Sequence, residues 1–155
     1  MKISIETTVD QKQQVVIDHF NQELFKALNP PWVKADLVRY DGNKPGDTVA
    51  LKLDFLIFKQ NWISEITAEH QDEQSYYFID EGKKLPFFLS YWKHKHIIEK
   101  KGEQQSIIRD DIEFKAPFGL LSLLLYPALY LQFAYRKPIY KKFFQALEKG
   151  KTSKA

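Results

Sequence analysis

Two stretches decide the fold: FFLSYWKHKHII, residues 87–98, and SIIRDDIEFK, residues 106–115. Successive side chains of a strand point to opposite faces. Trp92, His94 and His96 therefore share one face of the first stretch, and Tyr91, Lys93 and Lys95 share the other. Two lysines mark the second face as the wet one, which turns the tryptophan and both histidines inward. In the second stretch Ile108, Asp110, Ile112 and Phe114 alternate with Arg109, Asp111, Glu113 and Lys115. An acid thus falls on the same apolar face as two imidazoles, and that face is the first candidate for a cavity wall.

Working outward, Ile3 to Val9 alternates and predicts a first strand. Asp10 is placed to cap a short helix from Gln11 to about Asp18, with Val15, Val16, His19 and Phe20 on or near its buried side. A second short helix is predicted over Gln22 to Ala27, closed by Asn29-Pro30-Pro31. Strands follow at Asp36 to Tyr40 and Thr48 to Phe58, separated by the turn Asp41 to Gly46. Gln60-Asn61 is read as a turn into a strand at Trp62 to Glu69. Another strand is read at Tyr76 to Asp80, closed by a turn at Glu81 to Lys84. From about Phe118 a final helix of about 30 residues, near 45 Å long, is expected. Hairpin-joined strands build an antiparallel sheet with one wet face, and this helix is the element long and apolar enough to cover the dry one. The expected class is α+β: a curved antiparallel sheet wrapped around a long C-terminal helix, with two short helices after the first strand.

The size suits one domain, residues 1–149, with a basic flexible tail at 150–155. Hydrophobic residues make up 44% and aromatics 15%, which supports a packed core and argues against disorder. A net charge of +3, with cations spread among acids, gives no footprint for nucleic acid. Cysteine is absent, which excludes disulfides and thiolate chemistry. The charged start, Met1 to Glu6, lacks the apolar run of a signal peptide, so a cytoplasmic location is expected. Phe118 to Tyr135 carries no charge and approaches the length of a membrane span. A helix apolar all round also suits the centre of a core, and that buried-helix reading is preferred. Pro127 is expected to kink it, and Arg136-Lys137-Pro138 to break it at the surface.

The order strand, helix pair, six strands, long helix resembles the SRPBCC superfamily, also called START-like or helix-grip proteins, and in particular its bacterial ligand-binding, cyclase-like branch. The matching positions are Trp92-x-His94-x-His96 and Asp110-x-Ile112-x-Phe114-x-x-Pro117-Phe118-Gly119, with Val38-Arg39-x-x-Gly42 and Phe78-x-Asp80 earlier. Phe114 stands where that branch usually has a tyrosine, which removes one hydroxyl from the pocket. The resemblance implies a helix-grip fold. Its members include steroid and lipid carriers, hormone receptors and polyketide cyclases, so fold alone does not settle function.

An inward carboxylate must be paired or protonated, and His94 and His96 are the partners within reach of Asp110. The pair serves either as a structural cross-link, the preferred reading, or as an acid/base couple with His94 and Asp110 as catalytic candidates. Pairing of this kind is expected to make the imidazoles easier to protonate. A metal on His94 and His96 requires a third ligand, Asp110 or more remotely His70, and His-x-His alone is a weak signal. No metal and no cofactor is therefore expected.

The nominated ligand-binding set is Trp62, Ser64, Phe78, Trp92, His94, His96, Asp110, Ile112, Phe114, Tyr126 and Tyr130. A few polar groups amid many apolar ones favour a hydrophobic or amphipathic small molecule. The alternatives are a cyclase- or isomerase-type enzyme using the His/Asp pair, and an interaction domain whose cavity is vestigial. A monomer or weak homodimer without stable membrane insertion is expected. Phosphate loops, nucleophile elbows and nicotinamide fingerprints are absent from the sequence.

Overall fold

The structure, a computed structural model, describes residues 1–32, 34–54 and 58–152. Among them seven strands form one antiparallel sheet in the order β1-β7-β6-β5-β4-β3-β2. β1 is Lys2–Val9, β2 Lys34–Tyr40, β3 Thr48–Asp54, β4 Lys59–Gln71, β5 Ser75–Lys84, β6 Tyr91–Lys100 and β7 Ser106–Lys115. The strands from β2 to β7 follow one another as hairpins. β1 lies at the opposite edge from β2 and pairs with β7, with Ile5 opposite Asp110. Two short helices, α1 (Gln13–Asp18) and α2 (Gln22–Ala27), carry the chain from one edge to the other. At the C-terminus α3 (Gly119–Ala134) and α4 (Arg136–Thr152) follow with only Tyr135 between them. The sheet curls around these helices. This is the helix-grip fold, with the α+β class and the helix pair after the first strand as the sequence predicts.

Several boundaries differ from the sequence reading, each for a local reason. Lys12, not Asp10, occupies the N-cap of α1 and makes no side-chain cap bond. The Asp10 carboxylate instead accepts from Gln105 Nε2 at 2.7 Å. Gln60 and Asn61 lie within β4, paired with Leu53 and Lys52. Glu81 to Lys84 continues β5, where a register shift between Ile63 and Ser64 of the partner strand absorbs the irregularity. Phe87 and Phe88 precede β6. Part of the expected third strand, residues 55–57, lies outside the described residues, as does the end of the expected tail, 153–155. α4 runs on through Thr152, so the backbone at 150–152 is helical.

Two apolar clusters divide the interior. The first joins Val16 and Phe20, Leu24 and Leu28, and Tyr140 and Phe144 to Ile66, Phe78, Ile98 and Ile108 of the sheet. The second joins Ile3, Ile5, Trp92, Ile112 and Phe114 of the sheet to Phe133 of α3. Asn21 sets the start of α2, since its Oδ1 accepts from the amides of Glu23 at 2.9 Å and Leu24 at 3.2 Å.

α3 departs from the expectation of a buried helix. Ser122 and Phe133 are its buried residues. Leu120, Leu123, Leu124 and Leu131 keep 71%, 60%, 65% and 64% of their surface. The helix bridges one end of the sheet rather than lying in its centre, so one side alone finds cover. Among the described residues no helix is long and apolar enough to cross a membrane.

Candidate functional site

Between the two clusters the concave face of the sheet carries a polar group. Alternation along β6 turns Trp92, His94 and His96 inward, and alternation along β7 does the same for Asp110. All four are buried. His94 Nε2 lies 2.8 Å from Asp110 Oδ1, and His96 Nδ1 lies 3.7 Å from the same oxygen. The two imidazole centroids are 3.6 Å apart. His96 stacks on Phe78 of the first apolar cluster at 4.3 Å, whereas His94 meets Phe133 of the second edge-on at 5.1 Å. The histidines therefore sit at the seam between the two clusters.

Three further groups complete the cluster. The Tyr140 hydroxyl donates to Asp110 Oδ2 at 3.5 Å. Arg136 Nη1 lies 4.0 Å from Asp110 Oδ1, and its guanidinium sits over the Phe133 ring at 4.2 Å. Asp80 of β5 accepts from Trp92 Nε1 at 3.2 Å and lies 3.9 Å from His96 Nε2.

Electrostatics here is set by burial. Desolvation, with the second imidazole beside it, pushes the His96 pKa down to about 4. The ring stays neutral at physiological pH, which for His96 corrects the expectation that pairing makes the imidazole easier to protonate. Burial acts to raise the Asp110 pKa, but the hydrogen bond from His94 and the charges of His94 and Arg136 outweigh it and hold the carboxyl below its usual range. Among the described residues His96 Nδ1 and Arg136 Nε are buried without a hydrogen-bond partner.

A cavity of about 140 Å³ lies between this face, α2 and α3. Val49, Leu51, Leu53, Trp62 and Trp92 of the sheet form its apolar wall, with Phe25 of α2 and Leu129 and Phe133 of α3 opposite. Ser64, Asp80, His94, His96, Gln132 and Arg136 supply its polar points. A smaller space of about 30 Å³, beyond His96 and Asp80, is lined by Phe20, Phe78 and Tyr40. Such a volume has room for about one water.

Of the nominated residues, Trp62, Ser64, Trp92, His94 and His96 line the main cavity, and Phe78 lines the smaller one. Asp110 stands behind the histidines. Ile112 and Phe114 belong to the apolar cluster beneath. Tyr126 packs against that cluster and stacks with Tyr130 at 6.4 Å, while Tyr130 faces outward, 43% exposed. Residue pattern missed Arg136, Phe133 and Gln132. Arg136 follows the charge-free run and reads as a surface break. The helices do break there, yet the arginine side chain is only 12% exposed, because that junction points it beneath the sheet.

Asp80, His94 and His96 each offer one ligand atom, all within 4.8 Å of one another. Zinc bound at about 2 Å to each ligand requires edges near 3.4 Å, so the three groups must close inward to hold it. His70, the remote alternative, lies on the surface beside Asp72 at 3.1 Å.

No protein-family model matches the sequence, and no curated protein does. Solved structures match at the level of fold. A norcoclaurine synthase point mutant from Thalictrum flavum, bound to a transition-state analogue, superposes with a TM-score of 0.69 at 10% identity, covering 96% of both chains. A START superfamily protein from Mycobacterium smegmatis gives 0.65 at 14% identity, over 94% of this chain and 98% of that one. An aromatase/cyclase from a Streptomyces gives 0.62 at 9% identity, over 90% of each. The chain thus shares the helix-grip fold of these structures, and at 9–14% identity the likeness is one of fold and not of role.

Proposed function

We propose that the protein binds a hydrophobic or amphipathic small molecule in the cavity between the sheet and α3. The observation that carries this reading is the cavity itself: an aromatic and aliphatic wall of about 140 Å³ with a few polar groups at one end. A space of roughly 150 Å³ accepts a ring the size of benzene. A larger ligand extends through the opening or displaces α3, whose contacts with the sheet are few. Trp62 and Trp92, edge to face at 4.8 Å, grip a flat apolar body. Ser64, His94, His96, Gln132 and Arg136 orient its polar end. Binding in this reading uses no cofactor, and the protein works in the cytoplasm as a monomer or weak dimer, consistent with a cysteine-free sequence.

Dye displacement tests it. An anilinonaphthalene sulfonate probe is expected to bind one site per chain and to be displaced by apolar ring compounds, and Ser64→Trp is expected to abolish this by filling the cavity. Dye bound equally by wild type and variant overturns the reading.

The second reading is a cyclase- or isomerase-type enzyme. The 2.8 Å contact of His94 with Asp110 favours it, because a carboxylate that fixes an imidazole tautomer is the usual support for a general base. Two of the fold's neighbours are described as a synthase and an aromatase/cyclase. Turnover of a bound ligand that survives Asp110→Asn counts against this role. An interaction domain with a vestigial cavity is the third reading, and binding of partners indifferent to cavity substitutions supports it.

A further inference from the structure

The outer face of α3 is the least expected surface of the molecule. At 100° per residue, Leu120, Leu124 and Leu131 fall on one stripe, with Leu123, Pro127 and Tyr130 beside it. Every one of these is exposed. Leu129 and Phe133, which line the cavity, fall on the opposite side. The outward stripe carries no charge, and its sole polar atom is the tyrosine hydroxyl. Trp32, 61% exposed, extends the patch at the helix C-terminus, where it contacts Tyr135 edge-on at 4.7 Å. A continuous apolar patch of this kind on a folded chain marks a surface that meets something else.

Charge identifies the occupant. Between Glu113 and Glu148 the sequence contains no acid, while Lys115, Arg136, Lys137, Lys141 and Lys142 are cations. Lys115 and Lys137 are exposed at the two ends of α3 and bracket the leucine stripe. A second copy docked through the same patch meets the same basic rim, and like charges oppose it. An anionic lipid surface matches both features: apolar residues enter the acyl boundary and lysines meet headgroups. Length agrees, since α3 is too short to span a bilayer and suits lying on one. A tryptophan at the patch edge suits the interfacial zone.

We propose that the outer face of α3 docks on a bilayer surface bearing anionic lipids, with Leu120, Leu124 and Leu131 in the acyl boundary and Lys115 and Lys137 at the headgroups. The docking is peripheral and reversible. It also sets the inner face of the same helix over the cavity, so the ligand site lies one helix thickness from the lipid. The docking itself does not depend on what the cavity holds.

Vesicle co-sedimentation tests the proposal. The full chain is expected to bind phosphatidylcholine vesicles containing roughly 30% phosphatidylglycerol, to bind pure phosphatidylcholine about ten-fold more weakly, and to be released by salt. Leu124→Glu is expected to weaken binding by at least about ten-fold while the circular dichroism spectrum stays native. The double variant Lys115→Glu, Lys137→Glu is expected to lose the preference for the anionic lipid. A second measurement uses the unaltered surface: brominated lipids are expected to quench a fluorescence component that Trp32→Phe removes. Equal binding to neutral and anionic vesicles, binding unaffected by Leu124→Glu, or no binding at all overturns the proposal. Self-association abolished by Leu124→Glu, without vesicle binding, assigns the patch to a second copy instead.

Discussion

His94 and Asp110 are not opposite one another in the β6–β7 ladder, yet they make its closest inward contact. The residue directly across from Asp110 is His96, and the one across from His94 is Ile112. The 2.8 Å bond is therefore a diagonal one, while the facing pair stays 3.7 Å apart. The diagonal leaves His96 free to stack on Phe78 and to approach Asp80 from β5. One carboxylate thus organises three elements: β6, β7 and, through Arg136 and Tyr140, α4.

Asp110→Ala is expected to destabilise the fold by about 3–5 kcal/mol, because it leaves Arg136, His94 and Tyr140 buried without their shared partner. Asp110→Asn keeps the volume and one acceptor, and a smaller loss of about 1–3 kcal/mol is expected. Urea denaturation at neutral pH measures both. Equal losses for the two variants mean that charge, not volume, is what this position supplies.

Stability is expected to fall with acid in two windows. His96 titrates near 4 in the fold, against an ordinary value of 6.5, so below 6.5 the unfolded chain binds more protons. Its contribution is present above pH 6.5 and is lost progressively down to about 4, amounting to about 3 kcal/mol at about 1.4 kcal/mol per pKa unit. Asp110, held below its ordinary 3.8, adds a further loss as pH drops under that value. The groups facing His96 are His94, Asp80 and Asp110. His96→Phe is expected to flatten the upper window in a pH series of urea midpoints, and an unchanged slope rejects the assignment.

The two faces of α3 are expected to respond differently to truncation. Phe133 is 2% exposed, stacks with Trp92 at 6.0 Å and supports the Arg136 guanidinium. Phe133→Ala should cost about 3–5 kcal/mol. Leu124, facing out, should change stability by no more than about 0.5 kcal/mol on substitution by Ala. Thermal denaturation of the two variants compares them. A large loss at Leu124 returns the helix to the core.

Asn21→Ala removes the side-chain oxygen that accepts from two amides at the start of α2. A loss of about 1 kcal/mol is expected, with Asn21→Asp or Asn21→Ser close to wild type. Chemical denaturation of the three proteins decides it. A full loss in Asn21→Ser assigns the effect to packing rather than capping.

The sequence by itself determined what repeats locally. Period-two alternation marked both faces of β6 and β7, fixed the bounds of β7 at Ser106 and Lys115, and turned Trp92, His94, His96 and Asp110 inward before any partner strand was known. The element order likewise determined the helix-grip class, since hairpin-joined strands and one apolar C-terminal helical run leave few ways to cover the dry face. Tertiary structure alone decided which groups meet. Asp80 joins the histidines because β5 pairs with β6 in one particular register, with Asp80 opposite His94. Arg136 turns inward because the helix breaks at Tyr135, and no pattern in a charge-free run announces that direction. The same run reads alike whether a helix is enclosed or half bare, because composition records how apolar a segment is and not how much of it finds a neighbour. Cover is a non-local quantity, and so are the cavity, the polar cluster at its end and the bare leucine face on its outer side.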